Sequence, residues 1–133
     1  MALENVSLRF NLGDTWRSPI WAVLVDDLPV DLSTGGWTVR CQARRRPNAP
    51  VLYEWTNFNG GIQLDTAEVV YGNTGETGET STIQIVNDAD ETDEWDPFSA
   101  DFEIEIERGS GNNHERHTVV SGRMTALQDL ADT

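Results

Sequence analysis

Apolar and polar residues alternate along most of the chain, and the longest alternation spans residues 98–108. The apolar positions there are Phe98, Ala100, Phe102, Ile104 and Ile106, and most of the positions between them carry carboxylates. Because successive side chains of a β-strand point to opposite faces, this pattern predicts a strand with one buried and one solvated face. Residues 37–44 alternate in the same way, with Arg40 and Arg44 on the polar side, and predict a second such strand.

Six further segments have the composition of strands, and clusters of Gly, Pro, Asn, Asp, Ser and Thr separate them. They are residues 6–10, 19–25, 51–55, 61–64, 82–86 and 116–127. Their spacing is typical of a β-sandwich or β-barrel, and no segment has a convincing helical periodicity. We therefore expect one all-β domain over residues 1–133, a length close to the common domain size.

The segments between and around these strands give four more expectations. Residues 19–25 are apolar on both faces, which predicts a central strand or a strand that docks against another subunit. Residues 109–114 form a good turn sequence, so the strands on either side are expected to pair as a hairpin. The Gly/Thr/Glu-rich residues 72–81 are expected to be a mobile surface loop, and residues 128–133 a C-terminal tail.

The charge of the chain is strongly negative, with 23 acidic residues against nine Arg and no Lys, a formal net charge of -14. Binding to nucleic acid requires a net basic face, so we expect no nucleic-acid partner. The chain also lacks an apolar run long enough for a membrane span and a signal-peptide pattern at its start, so we expect no membrane association. Such acidity suits a high-salt environment, whereas Arg without Lys also follows from a GC-rich genome, and both explanations stay open.

Residues that often carry chemistry do not form a recognisable set. Cys41, the single cysteine, lies at an apolar strand position and is expected to be a buried hydrophobe. His114 and His117 are three apart at the start of a predicted strand, where residues at that spacing point to opposite faces, away from a shared metal. The acidic residues 88–96 do not match the spacing of a calcium loop, which leaves a solvated loop or a weak cation site. We expect no enzyme activity, no cofactor and no metal.

Four of the nine arginines lie within residues 40–46, which is unusual in so acidic a chain. Arg40 and Arg44 are expected to lie across from the acidic residues 103–107 and to relieve the repulsion along that strand. Arg45 and Arg46, at the end of the strand, are expected to meet the acidic edge of a neighbouring subunit. A third possibility is a small patch that binds anions, which the net charge makes the weakest of the three.

Five motifs follow one another along the chain: Gly13-Asp-Thr15, Asp26-Asp-Leu-Pro-Val-Asp-Leu-Ser33, Gly36-Trp-Thr-Val-Arg40, Asp101-Phe-Glu-Ile-Glu105 and Val120-Ser-Gly-Arg-Met124. Their order resembles that in small β-sandwich virion proteins of tailed phages. The series resembles the N-terminal domain of baseplate upper proteins and related fibre-adaptor or head-decoration domains, over roughly residues 6 to 127. The order of the motifs carries the resemblance, since each motif alone is weak. It implies an antiparallel, immunoglobulin-like β-sandwich of about 7–9 strands.

The resemblance also implies a structural role in a tailed virus particle, in the virion after assembly in the host cytoplasm. The partners would be other virion proteins and copies of the same chain. Members with a baseplate role continue into a long stalk, whereas this sequence ends at Thr133. We therefore expect an adaptor, a spike base or a capsid-decoration protein, and the acidity fits a virus of a salt-loving, haloarchaeal host.

Subunit contacts are expected to involve the arginines at the strand end and a set of aromatic residues. The expected interface residues are Arg45, Arg46, Trp16, Trp21, Trp55 and Phe58. The alternative is a monomeric β-sandwich module that binds carbohydrate or peptide through aromatic residues in its loops. An assembly protein should self-associate or require a partner, whereas a binding module should be a stable monomer.

Overall fold

β-strands make up most of residues 3–128, the range that the computed structural model describes. In chain order the strands are β1 (Leu3–Asn11), β2 (Trp16–Arg17), β3 (Trp21–Ala22), β4 (Leu24–Val25), β5 (Leu28–Pro29), β6 (Thr38–Arg44), β7 (Val51–Thr56), β8 (Ile62–Tyr71), β9 (Glu76–Asn87), β10 (Phe98–Arg108) and β11 (Glu115–Leu127). A single helical turn, α1 (Ala89–Thr92), lies between β9 and β10, and a 3-10 turn at Gly111–Asn113 joins β10 to β11. No helix in this range is long and apolar enough to cross a membrane.

Two sheets pack against each other. The first has five strands in the order β1-β11-β10-β6-β7. In the second sheet β9 is central: it pairs with β8 over the full length of β8, and with the short β2 and β3 at separate positions, while β4 and β5 form a small hairpin. Apolar side chains of both sheets share one core, which includes Phe102 and Ile104 from the first sheet and Ile83 and Ile85 from the second. The predicted all-β sandwich is confirmed.

The alternating pattern places the core where the sequence predicts it. All five apolar positions of β10 are buried, and its bounds coincide with the alternating run from Phe98 to Arg108. Val39, Cys41 and Ala43 of β6 are also fully buried. The turn at residues 109–114 joins β10 to β11 as an antiparallel hairpin, as predicted.

The first strand differs from the others in its direction, since β1 runs parallel to β11 while the other described pairings are antiparallel. Its register with β11 shifts between Leu3 and Val6, and Asn5 in this interval has a φ of 60°. The shift brings the backbone of Val6 against Gly122, where a Cβ would overlap it. Glycine is therefore required at position 122 by close packing of two backbones.

The prediction of one strand over residues 19–25 is wrong, because the chain changes partners within this segment. β3 pairs with β9, whereas β4 pairs with β5 across a tight turn. The two turn residues, Asp26 and Asp27, have φ values of 52° and 62°, as a type I′ hairpin turn requires. Val23, between β3 and β4, is buried and donates its N–H to Ser81.

The predicted loop at residues 72–81 is also wrong in its extent. β8 and β9 form one hairpin whose last pair is Tyr71 and Glu76, so the turn comprises only residues 72–75. Gly72 and Gly75 have positive φ values there, which glycine adopts without strain. Thr80 and Ser81 are buried within β9. The predicted tail at residues 128–133 lies outside the described residues, apart from Gln128.

The acidic segment 88–96 contains the helical turn α1, although the sequence predicted no helix. Four residues are too few to produce a helical periodicity that a sequence pattern can reveal. Thr92 at the end of α1 is fully buried, and its hydroxyl accepts the backbone N–H of Gly13 at 2.9 Å. This contact ties the acidic segment to the turn that follows β1.

Candidate assembly surface

The arginines and the carboxylates are distributed unequally between the two sheets. The strands and turns of the five-stranded sheet, residues 3–11, 38–56 and 98–127, carry eight of the nine arginines: Arg9, Arg40, Arg44, Arg45, Arg46, Arg108, Arg116 and Arg123. The same residues include seven acidic ones: Glu4, Glu54, Asp101, Glu103, Glu105, Glu107 and Glu115. This half of the sandwich is therefore nearly neutral.

The second half of the sandwich carries almost all of the net negative charge. Residues 12–37 and 57–97 contain fourteen acidic residues and a single arginine, Arg17. The two remaining acidic residues, Asp129 and Asp132, lie outside the described range. The strands and turns of the five-stranded sheet thus combine both signs of charge, while the rest of the described chain is strongly acidic.

Ion pairs on the outer face of the five-stranded sheet link β10 mainly to β11. Arg116 lies 3.5 Å from Glu105 and 2.8 Å from Glu107, and Arg123 lies 2.8 Å from Asp101. These pairs offset the repulsion of a strand that carries a carboxylate at every second position.

Arg40 and Arg44 lie across from the acidic strand β10, as expected, although their side chains bond to other residues. In the register of β10 and β6, Arg40 is opposite Glu105 and Arg44 is opposite Asp101. Arg40 nevertheless makes its ion pair with Glu54 on β7, at 3.8 Å. Arg44 donates to the backbone carbonyl of Ala49, at 2.6 Å.

Hydrogen bonds at the β10–β11 hairpin end lower the pKa values of two carboxyl groups. The pKa of Glu107 is lowered first by the hydrogen bond from Arg116 and then by that from His114. The pKa of Glu115 is lowered by His117 and then by Arg108. A lowered carboxyl pKa means that these contacts stabilise the fold above the ordinary carboxyl pKa and are lost as the pH falls through the lowered value.

Arg45 and Arg46 lie in the turn between β6 and β7, and both side chains are exposed. Neither forms an ion pair with a described residue. The bond from Arg44 to Ala49 spans this turn, and the N–H of Ala49 donates to the carbonyl of Arg46 at 3.1 Å. The turn is therefore held in place by its own hydrogen bonds, and its two consecutive arginines are exposed to solvent.

The four aromatic residues expected at the interface occupy different environments. Trp55 is in the core, only 3% exposed, and its indole N–H donates to buried Asn87 at 2.7 Å, so its assignment to the interface is wrong. Trp16 is half-buried, with its ring 4.9 Å from that of Phe10. Trp21 is half-buried against the core, while Phe58 is 75% exposed.

Two half-buried aromatic residues that the sequence did not single out stack on each other. The rings of Tyr53 on β7 and Trp95 after α1 are 3.8 Å apart and nearly parallel. Burial of Tyr53 and the negative charge of Asp96 raise the pKa of its hydroxyl. Their positions, 42 residues apart in the sequence, gave no signal that they would meet.

The distal part of the β8–β9 hairpin is a second feature that the sequence pattern did not reveal, because the predicted loop covers residues 72–81 and no strand is predicted over residues 65–71. We call residues 66–79 the hairpin arm. On one face of the arm Glu68 lies directly opposite Glu79, and Val70 next to them is 69% exposed. The alternation of side chains in β8 would have indicated this face only if the segment had been recognised as a strand.

The residues considered for catalysis or metal binding make ordinary structural contacts. His114 lies 3.1 Å from Glu107, and His117 lies 2.7 Å from Glu115. Cys41 is fully buried, and burial raises the pKa of its thiol. Within residues 3–128 no three His, Cys, Asp or Glu side chains are grouped as metal ligands.

An open concavity of about 480 Å³ lies on the outer face of the five-stranded sheet. Its lining includes Pro47 and Asn48 of the β6–β7 turn, together with Gln42 and Glu103. Its polar lining suits hydrogen bonding to another protein surface. This concavity and the two exposed arginines belong to the same end of the sheet.

No protein-family model matches the chain, and a search of curated proteins finds no match either.

Proposed function

We propose that the protein is a non-enzymatic structural component of a tailed virus particle that acts through contacts between subunits. The observation that carries the proposal is the division of charge between a nearly neutral, arginine-bearing sheet and an acidic sheet. A surface of this kind offers a neighbouring molecule complementary charge on one side and repels it on the other. Such complementarity determines the orientation in which subunits meet.

The exposed arginine pair supports the contact role. Arg45 and Arg46 lie on a turn that is held by its own hydrogen bonds, so they lose little conformational freedom of the backbone when they bind. Guanidinium groups bind carboxylates through paired hydrogen bonds of fixed geometry. A partner that presents carboxylates is therefore the natural complement of this turn.

The virus-particle part of the proposal rests on the sequence series. Three of its five motifs lie in β6, β10 and β11, which are adjacent strands of the five-stranded sheet. The resemblance therefore involves the centre of this sheet and not isolated loop positions. The chain would act as an adaptor, a spike base or a decoration protein of the particle.

The alternative of a monomeric carbohydrate- or peptide-binding module has one observation in its favour, the stacked pair Tyr53 and Trp95. Against it, Trp55 is buried in the core and Trp16 is half-covered beside Phe10. Of the loop aromatics on which that alternative depended, only Phe58 is widely exposed.

Light scattering on the purified chain tests the proposal, once in dilute buffer and once in multimolar KCl. We expect a closed oligomer that forms or tightens in KCl, because salt at that concentration shortens the screening length to about 3 Å or less and weakens the repulsion between acidic surfaces, whereas close ion pairs covered by a contact are screened less. A monomer under both conditions would contradict self-assembly. Tryptophan fluorescence of that monomer, titrated with oligosaccharides and peptides, would then show whether the alternative is correct.

A further inference from the structure

The hairpin arm has one sheet face that no other part of residues 3–128 covers. At the base of the same face, Ile62, Ile83 and Ile85 are buried in the core. Farther along the hairpin this face carries Glu68, Val70 and Glu79, which are exposed. The edge of β8 that faces away from β9 also has no strand partner among residues 3–128. The arm thus presents both an open face and an open edge.

The opposite face of the arm is supported, so the open face is held in position. The ring of Tyr71 packs over Gly78, where a Cβ would lie 3.0 Å from it, and Pro29 of β5 lies on the same side. Packing on this face therefore supports the arm and fixes the orientation of its exposed face.

Glu68 and Glu79 are an unfavourable pair in the isolated chain. Carboxylates directly opposite each other on neighbouring antiparallel strands have their Cβ atoms about 5 Å apart and repel. Neither carboxylate has an ion-pair or hydrogen-bond partner among the described residues. A cationic group from outside would remove this repulsion and gain two carboxylates as partners.

The same chain carries the matching cationic group on its other sheet. Arg45 and Arg46 are adjacent, exposed and without an ion pair among residues 3–128, like the two glutamates of the arm. The arm belongs to the second sheet and the arginine turn to the first. A contact between them in two copies would join different patches, which makes it heterologous, and its repetition produces a ring or an open filament.

We propose that the hairpin arm of one copy docks on the β6–β7 turn of the next, with Glu68 and Glu79 bound by Arg45 and Arg46 and Val70 covered at the contact. The inference rests on the proposed function and identifies the contact through which the subunits assemble. Two arginines facing two carboxylates fix the orientation, and the apolar surface of Val70 adds hydrophobic burial.

Two neutral double variants test this contact. One carries Arg45→Gln with Arg46→Gln, and the other carries Glu68→Gln with Glu79→Gln. Each variant retains one intact side of the contact and lacks the other. We expect each alone to associate about tenfold or more weakly than the unaltered chain. Mixed in equal amounts they should form a 1:1 dimer and stop there, because the dimer has no intact pair of sides left.

Asp90→Asn with Glu91→Gln provides a matched control, since it removes two exposed carboxylates of α1, outside the arm. This control should assemble like the unaltered chain, and circular dichroism should show all variants folded. Assembly of either test variant at the unaltered level, or a mixture that remains monomeric, would overturn the inference. If self-association is unchanged by all these substitutions, the docking contact is wrong but the proposed function is not contradicted. If the unaltered chain stays monomeric, both the docking contact and the proposed function are contradicted.

Discussion

Of the described glycines, Gly122 is the one at which an added Cβ should destabilise the fold most. Its Cα lies against the backbone of Val6, at the irregular start of the β1–β11 pairing. A Cβ would force the two strands apart, so Gly122→Ala should lower the free energy of unfolding by about 2–3 kcal/mol. Urea denaturation followed by tryptophan fluorescence would measure this change.

The neighbouring substitution Ser121→Ala is the control for Gly122→Ala. Ser121 is on the same strand, partly exposed and has no side-chain hydrogen bond to a described residue. It should change the stability by less than about 0.5 kcal/mol. Equal losses in the two variants would show that the close approach of β1 does not limit position 122.

Single residues were predictable where an alternating pattern set their side, and unpredictable where packing decided. Cys41 and Ile104 were expected in the core because they sit on the apolar side of long alternating strands. Trp55 was assigned to an interface, yet it lies on the inner side of β7, opposite buried Cys41, and its indole donates to Asn87, 32 residues away. Such a long-range partner leaves no trace in the local pattern.

The β8–β9 hairpin should become more stable when its opposed carboxylates are separated. In Glu68→Thr a β-branched residue replaces one carboxylate, which removes the repulsion with Glu79 and suits a strand. We expect the free energy of unfolding to rise by about 0.5 kcal/mol in dilute buffer. The gain should shrink at high salt, and urea denaturation at low protein concentration would measure it.

Glu76→Thr removes the same charge from the same hairpin and serves as the comparison. Glu76 pairs with Tyr71, so no like charge lies opposite it. A gain as large as that of Glu68→Thr would mean that net charge, and not the opposed pair, is responsible. A gain confined to Glu68→Thr would show that the opposed carboxylates of the arm lower the stability of the fold, as expected of a surface that binds a partner.

Elements were predictable when they were long and alternating. β10 was recovered at its full length, and the hairpin with β11 followed from the turn sequence between them. The single strand predicted over residues 19–25 is wrong because two two-residue strands with different partners lie within this segment, too short for an alternating pattern to separate them. Residues 76–81 failed because Gly and Thr resemble a loop in composition, while pairing with β8 makes them a strand.

The acidic half of the molecule should be destabilised by its own charge. Asp14, Glu76 and Glu94 are exposed there and form no ion pair with described residues. The triple variant Asp14→Asn, Glu76→Gln and Glu94→Gln should therefore unfold about 3 °C higher than the unaltered chain in dilute buffer. In molar KCl, where self-repulsion is screened, a thermal scan should show little difference.

A second triple variant removes the same charge from the nearly neutral half. Asp101→Asn, Glu105→Gln and Glu107→Gln break the ion pairs with Arg123 and Arg116. The unfolding temperature of this variant should not rise in dilute buffer, because the lower net charge is offset by the loss of these ion pairs. Equal gains in the two variants would show that the charge acts uniformly over the molecule.

The excess of acidic residues was evident from composition, but its location was not. The sequence indicated that Arg40 and Arg44 would face the acidic strand, since both lie on the polar side of an alternating segment. That eight arginines share one sheet depends on the strand order β1-β11-β10-β6-β7, which brings together segments nearly 120 residues apart. Strand order is set by the packing of the whole chain and cannot be read from local alternation.

The position of Cys41 allows opening of the core to be measured through the reactivity of its thiol. Its thiol lies in β6, with β10 on one side and β7 on the other, and it is the only thiol in the chain. Its side chain is fully buried in the core that the two sheets share, so a thiol reagent reaches it only when the core opens around β6. The rate at which the native protein is labelled therefore reports how often the core opens at this strand, without any engineered probe. If assembly lowers the labelling rate of Cys41, contacts between subunits reduce the frequency of this opening.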